Sequence, residues 1–195
     1  GMVGLLYDLD QIEVFKGPQS SAYGPNAMAG LISMRSTDPT DQFEMKASTS
    51  LGSDNHYGGT SAMNVRFMKN MNMRLTGVYK YSDGFRENVS QNITDSNKRE
   101  EAFSRMKFSY NPNNRLSILT TLIYAELKNG YDVWAPDNNT DFITYSNDKG
   151  EDSQTTFGYS LRANFKPREN LKITSISSFT ETDLVHAYDG DWADS

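Results

Sequence analysis

From residue 43 onward the chain alternates apolar and polar positions with a period of two. Phe43, Met45, Ala47, Thr49 and Leu51 interleave with Glu44, Lys46, Ser48 and Ser50. Ser61, Met63, Val65 and Phe67 alternate with Ala62, Asn64 and Arg66, and Met73, Leu75, Gly77, Tyr79 and Tyr81 with Arg74, Thr76 and Lys80. The pattern returns at Met106–Phe108–Tyr110, at Leu116, Ile118, Leu122 and Tyr124, and at Phe157, Tyr159, Leu161, Ala163 and Phe165. It recurs with less regularity at Leu171, Ile173 and Phe179. Successive side chains of a strand face opposite ways, so each stretch predicts a strand with one apolar face. About seven strands are expected after residue 40.

The connections sharpen this picture. Lys69–Asn72, Asn111–Asn114 and Pro167–Asn170 are short and rich in Asn and Pro, as tight turns require. Longer joins lie between them, at Gly52–Gly58, near 83–99 and near 127–152. Short and long connections alternate strictly. In an antiparallel up-and-down meander all tight turns then share one end of the sheet, and all long loops the other. Outer-membrane β-barrels have this asymmetry. An all-β soluble sheet packed on itself gives the same alternation.

Before residue 40 the pattern changes. Ile12–Phe15 and Leu31–Met34 are short apolar runs separated by glycines and prolines. Gly17-Pro18 ends the first run, because proline has no amide to give a sheet. Tyr23-Gly24-Pro25-Asn26 reads as a turn in which Gly24 takes positive φ, and Gly30 opens the second run.

Composition excludes several classes. Hydrophobic residues make up 36%, and no stretch approaches the roughly 18 apolar residues of a membrane helix. There is no cysteine, so disulfide scaffolds and thiolate chemistry are excluded. A net charge of −6 disfavours nucleic acid. Gly1 before Met2 reads as a cloning scar, no signal peptide is visible, and the chain is expected to belong to something longer.

Candidate chemistry is sparse. The polar face of the strands is basic, carrying Lys46, Arg66, Arg74, Lys80, Arg105, Lys107, Arg162, Lys166 and Lys172 against Glu44. Such a wall would attract anionic ligands or carboxylates of the preceding segment; cations near the tight turns would equally well meet only water. Arg162 is a candidate ligand contact on this ground. Tyr131 and Trp134 in the longest loop are two more, with Tyr188 and Trp192 beside them in kind. Tyr79, Tyr81, Tyr110 and Tyr124 suit an interfacial belt or ordinary cross-strand packing. Asp189, Asp191 and Asp194 are spaced for calcium, but no bidentate Glu follows them, and solvated loop acids are the plainer reading. The N-x-S/T matches at Asn88, Asn92 and Asn138 carry no meaning here. His56 and His186 have no metal-ligand spacing, and no catalytic motif is present. No cofactor, metal or catalytic residue is expected, and the chain is not read as an enzyme.

The stretch "DQIEVFKGPQSSAYGPNAMAGLISMRSTDP" resembles the end of the plug domain of TonB-dependent outer-membrane receptors. The matching residues are Ile12, Glu13, Val14, Lys16, Gly17, Pro18, Tyr23, Gly24, Asn26, Ala27, Gly30 and Ile32. Lys16 stands where arginine is commoner, and Met28-Ala29-Gly30 where two glycines are frequent. The resemblance covers about 30 residues; the remainder agrees in architecture. It implies a plug domain's C-terminal part at 1–40 and about seven N-terminal strands of an incomplete barrel at 41–195. It implies energy-coupled uptake of a scarce solute, a ferric siderophore first, or vitamin B12 or a carbohydrate. The implied partners are that solute, outer-membrane lipid, and TonB through a segment upstream of these residues. The implied location is the outer membrane of a Gram-negative bacterium. Open edges would also permit self-association. A self-contained β-rich carbohydrate-binding or adhesive domain is the alternative.

Overall fold

The computed structural model describes residues 6–24 and 27–193. Strand β1 (Leu9–Lys16) pairs antiparallel with β2 (Gly30–Ser36), with Ile12 opposite Met34 and Val14 opposite Ile32. Gly17 ends β1 with φ +82. Gly30 opens β2 opposite Lys16, where a Cβ would lie 2.6 Å from the Phe15 carbonyl oxygen. Both termini of the hairpin are thus set by glycine. Between the strands the chain makes more than a turn. Ser20–Tyr23 closes one turn of helix, α1, in which Tyr23 N–H donates to Gln19 O and Gly24 N–H to Ser20 O. Small residues without β-branches permit this closure. Gly24 has φ +90, as expected. Pro25 and Asn26 lie outside the described residues.

The rest is a seven-stranded antiparallel sheet in the order β3 (Glu44–Leu51), β4 (Tyr57–Met68), β5 (Met71–Ser82), β7 (Arg99–Asn113), β8 (Leu116–Gly130), β10 (Glu151–Arg168) and β11 (Leu171–Ala187). Spatial order follows chain order, so this is an up-and-down meander. The turns after β4, β7 and β10 are two residues long. Asn70 in the first has φ +64, the conformation tight hairpins demand. The sheet does not close on itself, and β3 and β11 are its edges. Two short strands, β6 (Glu87–Asn88) and β9 (Ile143–Thr144), pair in parallel and tie the two longest loops together. Nothing in the alternation of the sequence signalled them.

Register places the apolar residues on one side. Met45, Met63, Leu75, Met106, Leu122, Tyr159 and Phe179 are successive cross-strand partners, forming one row over all seven strands. Val65, Met73, Phe108 and Leu161 fall on the same face, one row nearer the tight turns. Many of these side chains are open: Met45 is 65% exposed and Leu161 43%. An apolar sheet face open to its surroundings suits lipid contact.

Nearer the loops on this face, the row Gly59–Tyr79–Ala102–Glu126–Thr155–Asp183 is less apolar and carries two acids.

The opposite face holds the only cluster of buried apolar residues described, Val78, Phe103, Ala125 and Leu127, with Tyr7 and Ile123 packed against it. Tyr7 comes from the segment before β1, so this cluster fixes the hairpin segment to the sheet's polar side.

Candidate functional site

Two constellations stand out, one where the hairpin meets the sheet and one among the long loops. The first is built on Asp8, held at φ +58 just before β1. Its carboxylate is 4% exposed and sits against Arg74, 2% exposed. Arg74 Nη2 donates to Asp8 Oδ1 at 2.5 Å, Nε to Oδ2 at 2.8 Å, and Thr76 Oγ1 to Oδ2 at 2.8 Å. The remaining guanidinium nitrogen, Nη1, donates to Glu44 Oε2 at 2.8 Å. Arg105, 5% exposed, lies 3.7 Å from the Asp8 carboxylate and donates to the carbonyls of Tyr7 and Asp8. Charge-assisted, two-pronged pairing of this kind fixes both position and orientation.

A second tether holds the chain between β2 and β3. Lys107 Nζ donates to Ser36 O at 2.9 Å, to Thr37 O at 3.2 Å and to Asp38 Oδ1 at 2.6 Å. Asn64, fully buried, donates to the carbonyls of Thr40 and Gln42, and its Oδ1 accepts from Thr40 N–H at 3.0 Å. Each of these buried side chains, Asp8, Arg74, Arg105, Lys107 and Asn64, thus has its partners, the condition for burying it at all. Asp10, two residues from Asp8, pairs instead with exposed Arg35.

Burial disfavours the charged form of Asp8, but hydrogen bonds from Arg74 and Thr76 and the charges of Arg74 and Arg105 outweigh it, so its pKa is lowered. A carboxylate with a lowered folded pKa stabilises fully above its unfolded value, near 4, and loses that contribution as pH falls through the folded value. Proteolytic protection of the hairpin is therefore expected to be equal at pH 7 and pH 5 and to fall only below about pH 4. Loss between pH 7 and 5 would refute this account of the joint.

The second constellation lies at the loop end. Tyr131 meets the rings of His186, Tyr188 and Trp192 at centroid distances of 4.5, 6.1 and 6.0 Å. Trp134 meets Trp192 at 6.4 Å, and Tyr188 stacks on Trp192 at 5.9 Å. Trp134 and Tyr188 remain 47% and 54% exposed. The structure thus joins four aromatics from two distant loops into one open platform, with His186 beneath it. Beside it a buried knot holds the loops: Asn88 Nδ2 donates to Asp132 Oδ2 at 2.9 Å and Ser146 Oγ to Asp132 Oδ1 at 3.1 Å, while Thr144 also donates to Asp132. Asp189 accepts backbone N–H bonds from Asn147, Asp191 and Trp192.

Asp132 and Asp189 are buried, which corrects the reading of the loop acids as solvated. A carboxylate surrounded by donors is cheaper to bury than loop N–H groups are to leave bare. Asp194 lies outside the described residues, and no cluster of metal-binding side chains occurs among the rest.

Arg162 stands on the polar face in the row Arg66–Asn72–Ser109–Leu119–Arg162–Ile176, toward the tight turns and far from the aromatic platform. It is exposed, with no ion pair among the described residues. Arg162 therefore does not join Tyr131 and Trp134 in one site. The residues of the glycine-proline stretch are structural in placement. Ile12, Glu13, Val14 and Lys16 form β1, Gly17 and Pro18 its end, Tyr23 packs on Phe15 at 5.8 Å, and Gly24 and Gly30 set the return.

No protein-family model matches the chain. Solved structures do. The open form of the ferric-catecholate import receptor Fiu from E. coli K12 matches with a TM-score of 0.74 and 21% identity over 92% of this chain and 30% of that one. The ferric yersiniabactin uptake receptor FyuA from Yersinia pestis matches with a TM-score of 0.81 and 14% identity, covering 94% of this chain and 30% of that one. The copper transporter OprC matches with a TM-score of 0.64 and 16% identity, covering 89% and 25%. The fold is that of TonB-dependent outer-membrane receptors. The chain spans about 30% of the length of the first two. These neighbours are import receptors and a transporter. The charged joint thus ties the segment before β3 to the polar face of the sheet, opposite the open apolar face.

Proposed function

We propose that residues 1–40 are the C-terminal part of a plug domain and 41–195 the first seven strands of a receptor barrel. The whole receptor, lying in the outer membrane of a Gram-negative bacterium, takes up a scarce solute with energy delivered by TonB. A ferric siderophore is the first candidate solute. One observation carries this reading: the glycine-proline hairpin is bound by its buried Asp8 to the polar side of a meander whose other side is a continuous apolar row. A self-contained adhesive domain has no use for an apolar outer face of this extent.

The loop platform of Tyr131, Trp134, Tyr188 and Trp192 is the solute's contact surface at the outer end. Its rings suit stacking on a planar group of the chelate, each pair contributing about 0.5–1.5 kcal/mol. The test is uptake of iron-loaded siderophores by cells carrying the full-length protein. Uptake is expected to stop with a protonophore. The Tyr131→Ala, Trp134→Ala double variant is expected to bind solute about tenfold more weakly. Uptake indifferent to the protonophore, or glycan binding by a detergent-free monomer, would overturn the receptor reading.

A further inference from the structure

Basic residues of the sheet's polar face, which the receptor reading makes the inner wall of a barrel, fall on successive rows that descend from the joint to the tight turns. Arg105 lies on the row Thr76–Arg105–Ile123–Gly158–Thr180. Arg74 and Lys107 share the next with Thr121, Ser160 and Ser178. Arg66 and Arg162 share the one after, and Lys166 and Lys172 follow by strand alternation. The acid of these rows is Glu44, which bridges Arg74 and Lys46. The cations nearer the tight turns (Arg66, Arg162, Lys166 and Lys172) are exposed, and none has an ion pair among the described residues. Those nearer the loops are covered: Arg74, Arg105 and Lys107 are buried under residues 7–8 and 36–38, and their charges are met by Asp8 and Asp38.

Resting on the receptor reading above, we propose that Asp8 and Asp38 mask the upper half of a cationic track, which the inner wall presents to an anionic solute when the plug segment leaves. The masking is specific to charge. The sheet itself carries the cations and one acid, Glu44 beside Arg74, while the moving segment carries Asp8 and Asp38, which face Arg74, Arg105 and Lys107. Withdrawal of the hairpin thus does two things in one step: it opens space, and it joins Arg105, Arg74 and Lys107 to the exposed cations below. The neighbouring wall of Thr121, Ser160, Ser178 and Gly158 is short-chained and uncharged, so it offers clearance without competing for the anion. The solute class that fits is a chelate with net negative charge, such as one carrying carboxylate or catecholate oxygens.

Electrostatic potential at the wall is measurable without transport. Thr121 lies two strand spacings from Arg74 along one row, about 10 Å. These 195 residues hold no cysteine, so Thr121→Cys adds the single thiol of this region, and any cysteine elsewhere in the full-length protein is first replaced by serine. The full-length protein in detergent is treated with an anionic sulfonate and a cationic ammonium methanethiosulfonate, and the ratio of their rates is read. Adding Asp8→Asn is expected to raise the anionic-to-cationic ratio about fourfold, the effect of one uncancelled charge at that distance in water. If Asp8→Asn also releases the hairpin, more cations are uncovered and the ratio rises further, so partial unfolding does not hide the answer. A ratio that stays flat or falls overturns the track. A flat ratio with protonophore-sensitive uptake intact removes the track and leaves the receptor reading standing. A raised ratio with uptake indifferent to the protonophore removes the receptor reading and leaves the electrostatic masking.

Discussion

Arg74→Ala is expected to detach the hairpin from the sheet. Asp8 would keep Thr76 as a donor and Arg105 at 3.7 Å, but would lose both hydrogen bonds from the Arg74 guanidinium to a single apolar methyl. Removing one partner of a buried ion pair leaves a charge that is neither solvated nor matched, at a cost of about 3–5 kcal/mol. The hairpin has few other holds: Tyr7 on the apolar cluster, the Arg105 bonds to the Tyr7 and Asp8 carbonyls, and the tethers from Lys107 and Asn64. Amide exchange across β1 and β2 is expected to quicken markedly while that of β8 and β10 stays slow. Arg35→Ala, which breaks an exposed pair with Asp10, is the control and should change nothing measurable. Equal exchange in the two variants would show that the buried joint does not hold the segment.

Leu122→Arg is expected to be the most damaging change to the sheet. Leu122 is central in the row running from Met45 to Phe179, between Met106 and Tyr159. An arginine near the middle of a barrel's lipid face costs about 2–4 kcal/mol. Ser160→Arg is the counterpart on the inner wall, where a charge meets water. Folding into bilayers, read by the fraction resistant to added protease, should fall sharply for the first and little for the second. Equal yields would mean that the apolar face does not meet lipid, and the membrane reading would fail with it.

The two experiments probe opposite faces of one sheet, and those faces differed in how plainly the sequence announced them. The apolar side was legible residue by residue. Met45, Val65, Leu75, Phe108 and Leu161 were assigned to one face by period alone, and the ladders put them there. The basic inner wall was legible for the same reason, because alternation that fixes one face fixes the other. The aromatic platform was half legible: its members are conspicuous in loops, but their meeting depends on how two loops fold over the sheet end. Asp8 was not legible at all. In Tyr7-Asp8-Leu9-Asp10 two acids stand two residues apart, and only one of them enters the wall.

By itself the sequence determined the seven strands of the large sheet, their faces, the meander and the glycine-bounded hairpin, but not β6 and β9. These depend on local rules: a period of two, turn residues with positive φ, and glycine where a Cβ will not fit. Only the tertiary structure decided which carboxylate meets Arg74, that Arg162 stands apart from Tyr131 and Trp134, and that Asp132 and Asp189 are buried as organisers of loops. Those pairings join residues up to 66 positions apart. Long-range electrostatic matching leaves no period in the chain, since any acid of the right reach would look the same until the backbone has brought one of them to the wall.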